Sequence, residues 1–285
     1  MGLVKYDIKE QDFDHSKSDQ YELSILFGMD SFAYLVRRLA GGAIAAFRSV
    51  ELVSESREDY GSKIIRAVHN DDLLRLNLIR NLHIAWLQPT ATLVPARLYN
   101  PDAQKDYLGH LSELAADFEC LADDLKVLET KIVYGYREIA REPIIRRFSP
   151  RSEHHFASGL LSDWANSPLA KSDRSTFANF RDQRVTVACI EQGQIKFFNI
   201  FEYADAKDAL YFVLLAYQQC GWSPAKTPLK VSGELTEDSA VYKQLYRFVK
   251  QPDFYDFGHS AGLIGPAMQH LPTHIYSDLL TIGTW

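Results

Sequence analysis

Cysteine is scarce in this chain. Cys120, Cys189 and Cys220 are the only three in 285 residues, widely spaced and odd in number. No disulfide framework and no Cys-x-x-Cys metal pair follows from them, and the chain reads as cytoplasmic. Long apolar runs are missing too. The longest convincing one, LYFVLLAY at 210–217, falls far short of the about 20 residues a membrane-spanning helix needs. Residues 1–20 lack the apolar stretch of a secretion signal, and Tyr6 stands where an N-myristoylation motif needs Ser or Thr. They are read as a flexible polar tail. Positive charge is not in excess: 31 Lys and Arg stand against 37 Asp and Glu, a formal net charge of −6. That argues against gripping a phosphate backbone, so no nucleic-acid partner and no membrane partner is expected. Neither a Walker A loop nor a G-x-G-x-x-G pattern occurs.

What is present is ordinary globular composition, 46% hydrophobic and 24% charged, in a chain long enough for about two domains. ELSILF from Glu22, FAYLVRR from Phe32 and IAAFRSVEL from Ile44 alternate or run apolar between tight turns, which predicts an antiparallel meander over 21–27, 32–38 and 44–53. Ser56 and Asp59 form a capping-box start for a helix carrying Ile64, Ile65 and Val68. HIAWL and TATLVPARLY read as further strands. Asn100-Pro101 opens a helix with Leu108, Leu111, Leu114 and Ala115 on its buried stripe. KVLETKIVYGYR reads as a strand, Ser152 as the start of a helix bearing Phe156, Leu160, Leu161 and Trp164, and ANSPLAKSDRS as a linker. The first pattern then returns. TFANF, RVTVACIE and IKFFNIFEY predict a second meander, Asp205 and Asp208 cap a helix that Gly221 ends, and LKVS with Gly233 precedes a last helix. Two copies of meander–helix–strand–helix indicate a duplicated α/β protein. The expected units are 21–172 and 173–285. The first meander should share a sheet with HIAWL and the TLVPARLY segment, the second with LKVS, and the two sheets should stay separate.

This plan resembles the actin-like ATPase and sugar-kinase superfamily, in which two ribonuclease-H-like domains clamp a nucleotide. The chain also resembles a domain-of-unknown-function family of Bacteroidetes, DUF 3822. The resemblance is carried by TLVPARLY (92–99), Asn199-Ile200-Phe201, Asp208-Ala209-Leu210-Tyr211, Leu229-Lys230-Val231-Ser232-Gly233 and Leu271-Pro272-Thr273-His274 before Leu279. It implies a fold and leaves the activity open. The superfamily's first phosphate loop is an Asp-x-Gly-Thr/Ser turn after the first strand, and here Gly28-Met29-Asp30-Ser31 displaces the aspartate. Its second phosphate loop is another Asp-x-Gly turn, and here Arg181-Asp182-Gln183-Arg184 has no glycine. Only the adenosine-side strand-to-turn, ending in Ser232-Gly233, matches, and Glu234 follows it where a carboxylate would oppose a nucleotide. The resemblance therefore implies a retained clamp with eroded ATP chemistry. It also places Gly233 at a cleft-facing strand-to-helix turn, with positive φ or close packing.

Other constellations are weaker. Gly258-His259-Ser260-Ala261-Gly262 matches the G-x-S-x-G elbow of serine hydrolases, but Gly265-Pro266 breaks the supporting helix, and Asp278, His270 and His274 are the only downstream partners. His270 and His274 are separated by Pro272, and His154-His155 point apart, so neither pair reads as a metal site. Arg137, Arg141, Arg146, Arg147 and Arg151 are read as a solvated face balancing the acidic residues at 119–124 rather than as a phosphate patch. Phe254, Tyr255 and Phe257 are candidates for an exposed aromatic groove.

The expected function is a non-catalytic, degenerate actin/sugar-kinase-like protein that binds a protein or small ligand in its interdomain cleft, with no cofactor, no metal and no catalytic residue. The alternative is a divergent nucleotide-dependent kinase or ATPase using Asp30 and Ser31 at the phosphates and Ser232 and Gly233 under the base. A serine hydrolase using Ser260 ranks third.

Overall fold

The computed structural model describes residues 3–52, 60–114, 118–250, 252–255, 257 and 263–283. The chain begins with β1 (Leu3–Lys9), then β2 (Tyr21–Phe27), β3 (Ser31–Arg38) and β4 (Ile44–Glu51). Gly41 and Gly42, at φ +79° and +71°, make the β3–β4 turn in a region that only glycine enters freely. Helices α1 (Tyr60–Asn70) and α2 (Asp72–Leu76) lead to β5 (Asn81–Trp86). An insertion follows: β6 (Ala91–Pro95), α3 (Gln104–Gly109), β7 (Phe118–Leu125) and β8 (Thr130–Arg137). Next come α4 (Glu138–Phe148), β9 (Ser152–His155), α5 (Phe156–Asn166) and α6 (Pro168–Ser172). The second unit holds β10 (Arg174–Arg181), β11 (Arg184–Glu191), β12 (Gln194–Glu202), α7 (Ala206–Cys220), β13 (Leu229–Gly233), α8 (Ala240–Phe248) and β14 (Asp253–Phe254). Short 3-10 turns then run through Thr281. Among the described residues, no helix is long and apolar enough to cross a membrane.

The first sheet is ordered β1-β4-β3-β2-β5-β9 and the second β12-β11-β10-β13-β14. In each, the first meander strand, β2 or β10, carries a parallel neighbour on its free side, β5 or β13. A further parallel strand, β9 or β14, lies beyond it. The same order occurs twice and the two meanders do not merge, so the chain is a duplicated ribonuclease-H-like α/β protein.

Five local expectations are corrected. TLVPARLY does not join the first sheet. Residues 87–90 are too short for the crossover that a parallel neighbour of β5 needs, so β6 pairs antiparallel with β8 in a separate β6-β8-β7 sheet and 96–98 form a 3-10 turn. The place beside β5 goes to β9, within the stretch read as a helix start. Its polar SEHH sequence carries no strand period, and the helix begins only at Phe156, with the His155 ring accepting the Ala157 N–H as a cap. The segment read as a linker contains α6, capped by Ser167. Residues 3–9, read as part of a flexible tail, pair with β4 from Leu3↔Glu51 to Lys9↔Ala46. Tyr6 and Ile8 pack on the core from alternate positions of that strand, a period-2 signal masked by its charged neighbours. On α3, Leu108 is buried, but the helix stops at Gly109 and Leu111 is 51% exposed. The Ser56–Asp59 capping box and Ala115 lie outside the described residues.

The core is layered. One face of the first sheet packs on α1 and α4 through Ile64, Val68 and Ile144, and one face of the second on α7 and α8 through Val213, Ala216 and Leu245. The two remaining faces share a single cluster. Leu35 and Phe47 of the first sheet and Phe177 and Ile190 of the second meet around Phe156, Leu160, Leu161 and Trp164 of α5 and around Tyr276, Leu279 and Leu280 near the C-terminus. Trp164 stacks on Phe177 with ring centroids 5.3 Å apart. A Cβ on Gly159 of α5 would sit 2.5 Å from the Thr281 carbonyl oxygen, so glycine allows this close contact.

Candidate functional site

The two turns that the resemblance assigns to phosphate face each other. The first joins β2 to β3, with the Gly28 N–H donating to the Ser31 carbonyl at 2.9 Å. The second is a two-residue hairpin turn in which Asp182 and Gln183 adopt φ +56° and +52°, as a type I′ connection requires. Asp182 Oδ2 accepts the Met29 N–H at 2.8 Å and the Asp30 N–H at 3.4 Å. A Cβ on Gly28 would lie 2.6 Å from that same oxygen, so the approach depends on glycine. Arg184 holds the carboxylate from the other side at 3.2 Å and also reaches Glu202 at 3.1 Å. Backbone N–H groups that would cradle a phosphate already have a carboxylate acceptor, and its negative charge opposes a second anion there.

Behind the turns lies a buried polar network. Arg181, at the end of β10, grips Asp278 through Nε and Nη2, both at 2.9 Å. It also donates to the Ile275 carbonyl at 2.7 Å and to Glu234 at 2.9 Å. Asn179 donates to Asp278 at 3.1 Å and to Ser232 Oγ at 3.0 Å. Glu234 continues the chain of contacts into the first unit, accepting from Ser49 Oγ at 2.8 Å and from Lys5 Nζ at 3.0 Å. Lys5 is the extra residue where the β1–β4 register shifts between Val4 and Tyr6. Such a bulge re-aims a side chain, here across the junction between the two units. The network therefore latches β1 and β4 of one unit to β10, β13 and the C-terminal turns of the other.

Burial alone would lower the basicity of Arg181, but Asp278 and Glu234 more than offset it. Burial likewise pushes Glu234 up, yet the charges of Arg181 and then Lys5 outweigh it and hold the carboxyl below its ordinary range. A carboxylate with a depressed folded pKa stabilises fully above its unfolded pKa, and that contribution is lost as pH falls through the folded value. Denaturant unfolding at a series of pH values should show wild type losing stability below the ordinary carboxylate range. A Glu234→Gln variant should respond more weakly to the same acidification. Equal slopes would show that Glu234 does not titrate with folding.

The four residues of the nucleotide alternative are placed as follows. Asp30 lies exposed in the first turn, its carbonyl accepting the Leu52 N–H at 2.6 Å, and Ser31 begins β3. Ser232 is buried and accepts from Asn179. Gly233 has φ +87°, and a Cβ there would stand 2.2 Å from the Phe180 carbonyl oxygen. The glycine thus serves close packing of β13 on β10. Sequence reasoning missed the pairing of Asp182 with Met29 and the part played by Lys5. Asp278 stood out only as a hydrolase acid, and its oxygens are taken by Arg181 and Asn179. His274 donates to the Leu235 carbonyl at 2.7 Å and stacks on Phe254. The 258–262 elbow, Ser260 included, lies outside the described residues.

Arginines of the basic cluster are engaged internally. Arg141 pairs with Glu153, Arg146 with Glu142, Arg147 donates to the Leu74 and Arg75 carbonyls, and Arg151 to Asn81. Tyr255 and Phe257 are buried rather than lining an exposed groove. Among the described residues no three His, Cys, Asp or Glu side chains converge as a metal site would require.

Residues 10–251 match the model of a family described as "Protein of unknown function (DUF3822)". The chain belongs to the DUF3822 family. Among solved structures, this DUF3822 chain is similar to a Bacteroides thetaiotaomicron protein with actin-like ATPase fold and unknown function. The TM-score is 0.75 at 17% identity, over 90% of this chain and 97% of that one. It is also similar to a chain of a PilM–PilN type IV pilus biogenesis complex, with a TM-score of 0.59 at 9% identity, over 92% and 97%. At these identities the likeness is one of fold, and the DUF3822 chain has the actin-like ATPase fold. No curated protein matches it.

Proposed function

We propose that this DUF3822 protein is a non-catalytic, cytoplasmic binding protein in which the nucleotide position of the actin-like fold has become an internal latch. One observation carries the reading: the Asp182 carboxylate accepts the Met29 N–H at 2.8 Å, so one former phosphate turn fills the other. The buried Arg181–Asp278–Glu234 network behind it, completed by Lys5, balances its own charges. Binding of a protein or small ligand is then left to other space between the two units. The similar chain from the PilM–PilN complex belongs to a protein described in an assembly with a partner, which makes an interaction role compatible with this fold.

Isothermal titration with Mg-ATP tests the proposal. No binding and no phosphate release are expected, from wild type or from Asp30→Ala. Micromolar binding with turnover that disappears in Asp30→Ala would overturn it in favour of a divergent kinase or ATPase.

A further inference from the structure

A groove of about 1040 Å³ opens where one end of the inserted β6-β8-β7 sheet meets the second unit. One wall is the end of β6 with the β7–β8 connection. The other is the β11–β12 turn with the start of β12. Arg97, Lys126 and Lys171 line it, all three exposed, and their side chains make no ion pair or hydrogen bond among the described residues. The one carboxylate in the lining likewise without a partner is Glu129, because Asp124 is held by Lys131 at 3.2 Å. A chain of net charge −6 thus turns locally positive inside a concavity, where the field of like charges is concentrated.

Two further features favour an extended occupant. Val127, 53% exposed, and half-buried Ile195 offer apolar surface between the cations. β12 is the edge strand of its sheet, and β6 approaches it without pairing, so the start of β12 at Gln194 and Ile195, which faces the groove, keeps an outer backbone with no ladder partner among the described residues, the arrangement that accepts an added strand. A second cavity, of about 480 Å³, adjoins the groove and shares Asp124, Lys126 and Val127 with it, but its other charged side chains, Arg37 and Asp163, have partners. There Arg37 is paired with Glu22, and Asp163 accepts from the Tyr255 hydroxyl at 2.7 Å.

We infer that the groove binds an extended acidic segment of a partner protein, its carboxylates on Arg97, Lys126 and Lys171 and its aliphatic side chains on Val127 and Ile195. The inference rests on the reading of the chain as a binding protein. Fluorescence anisotropy with a labelled peptide of alternating Glu and Val tests it, beside the same peptide with Gln for Glu and a single-stranded oligothymidylate. The Glu peptide should bind and the Gln peptide should not. Reversing all three cations (R97E, K126E, K171E) should weaken binding about tenfold or more, a sum of three modest exposed charge contacts. Amide shifts in the wild-type protein provide a check that does not depend on the variant folding, and they should move at 124–130 and 192–195. Equal binding of the Gln peptide, no binding at all, shifts confined to other regions, or tighter binding of the oligothymidylate would each overturn the inference. Mg-ATP turnover alongside peptide binding would overturn the non-catalytic reading and leave the groove assignment standing.

Discussion

Asp278→Ala is expected to destabilise the protein by about 3–5 kcal/mol, because it breaks the two-point ion pair of a buried guanidinium. Arg181 is 4% exposed and Asp278 completely buried, and their two-point contact has both distances at 2.9 Å. Without the carboxylate, Arg181 keeps Glu234 and the Ile275 carbonyl, while its Nε loses its acceptor. Asn179 loses an acceptor at the same time. Urea unfolding measures the loss. The informative comparison is the double variant Arg181→Met with Asp278→Leu, which removes both charges. Its cost should be clearly smaller than the sum of the two single changes, since each single change takes from the remaining member its two-point partner. Additive costs, or a loss of under about 1 kcal/mol for Asp278→Ala, the scale of an exposed ion pair, would mean that the pair does not hold the C-terminal turns to β10.

Gly233→Val should be nearly as damaging. From sequence alone the expected cost is roughly 1–3 kcal/mol, the usual price of backbone strain at a left-handed position. The structure adds a second cause. The new Cβ would collide with the carbonyl oxygen and nitrogen of Phe180, at 2.2 and 2.9 Å. These atoms belong to β10 and cannot rotate aside as a side chain can, so overpacking adds about another 1–3 kcal/mol. A thermal melt should show a large fall in melting temperature for Val and a smaller one for Ala, which meets the same backbone but lacks branching at Cβ. An unchanged melt for Val would show that β13 and β10 are not packed as described.

How much of this was legible beforehand depended on whether a feature was local. Both meanders and the Asp205 and Gly221 caps of α7 follow from nearby residues, through alternation, turn chemistry and capping, whereas the positive φ of Gly233 came from the family resemblance. β9 was not legible, because Ser-Glu-His-His has no apolar alternation and becomes a strand only when β5 offers a parallel edge. β1 was obscured by Lys5, Asp7 and Lys9 between its inward-facing Tyr6 and Ile8. The turns around Asp30 and Asp182 were visible as sequence. That one turn meets the other was not, since they lie 153 positions apart in the chain and only the arrangement of the two sheets brings them together. Arg181 and Asp278 were hidden for the same reason.

The shared central cluster changes what the duplication means physically. The inward faces of the two sheets rest on the same helix, α5, and on the same C-terminal turns. Neither half contains a complete interior of its own. Cutting the chain between the units would therefore not release two small proteins. The second piece would expose the sheet face that α5 covers, and the first would expose the far side of α5 and lose the C-terminal turns. The repeat survives in the path of the backbone, whereas melting should treat the molecule as one cooperative block. Swinging the two sheets apart would have to tear that block open.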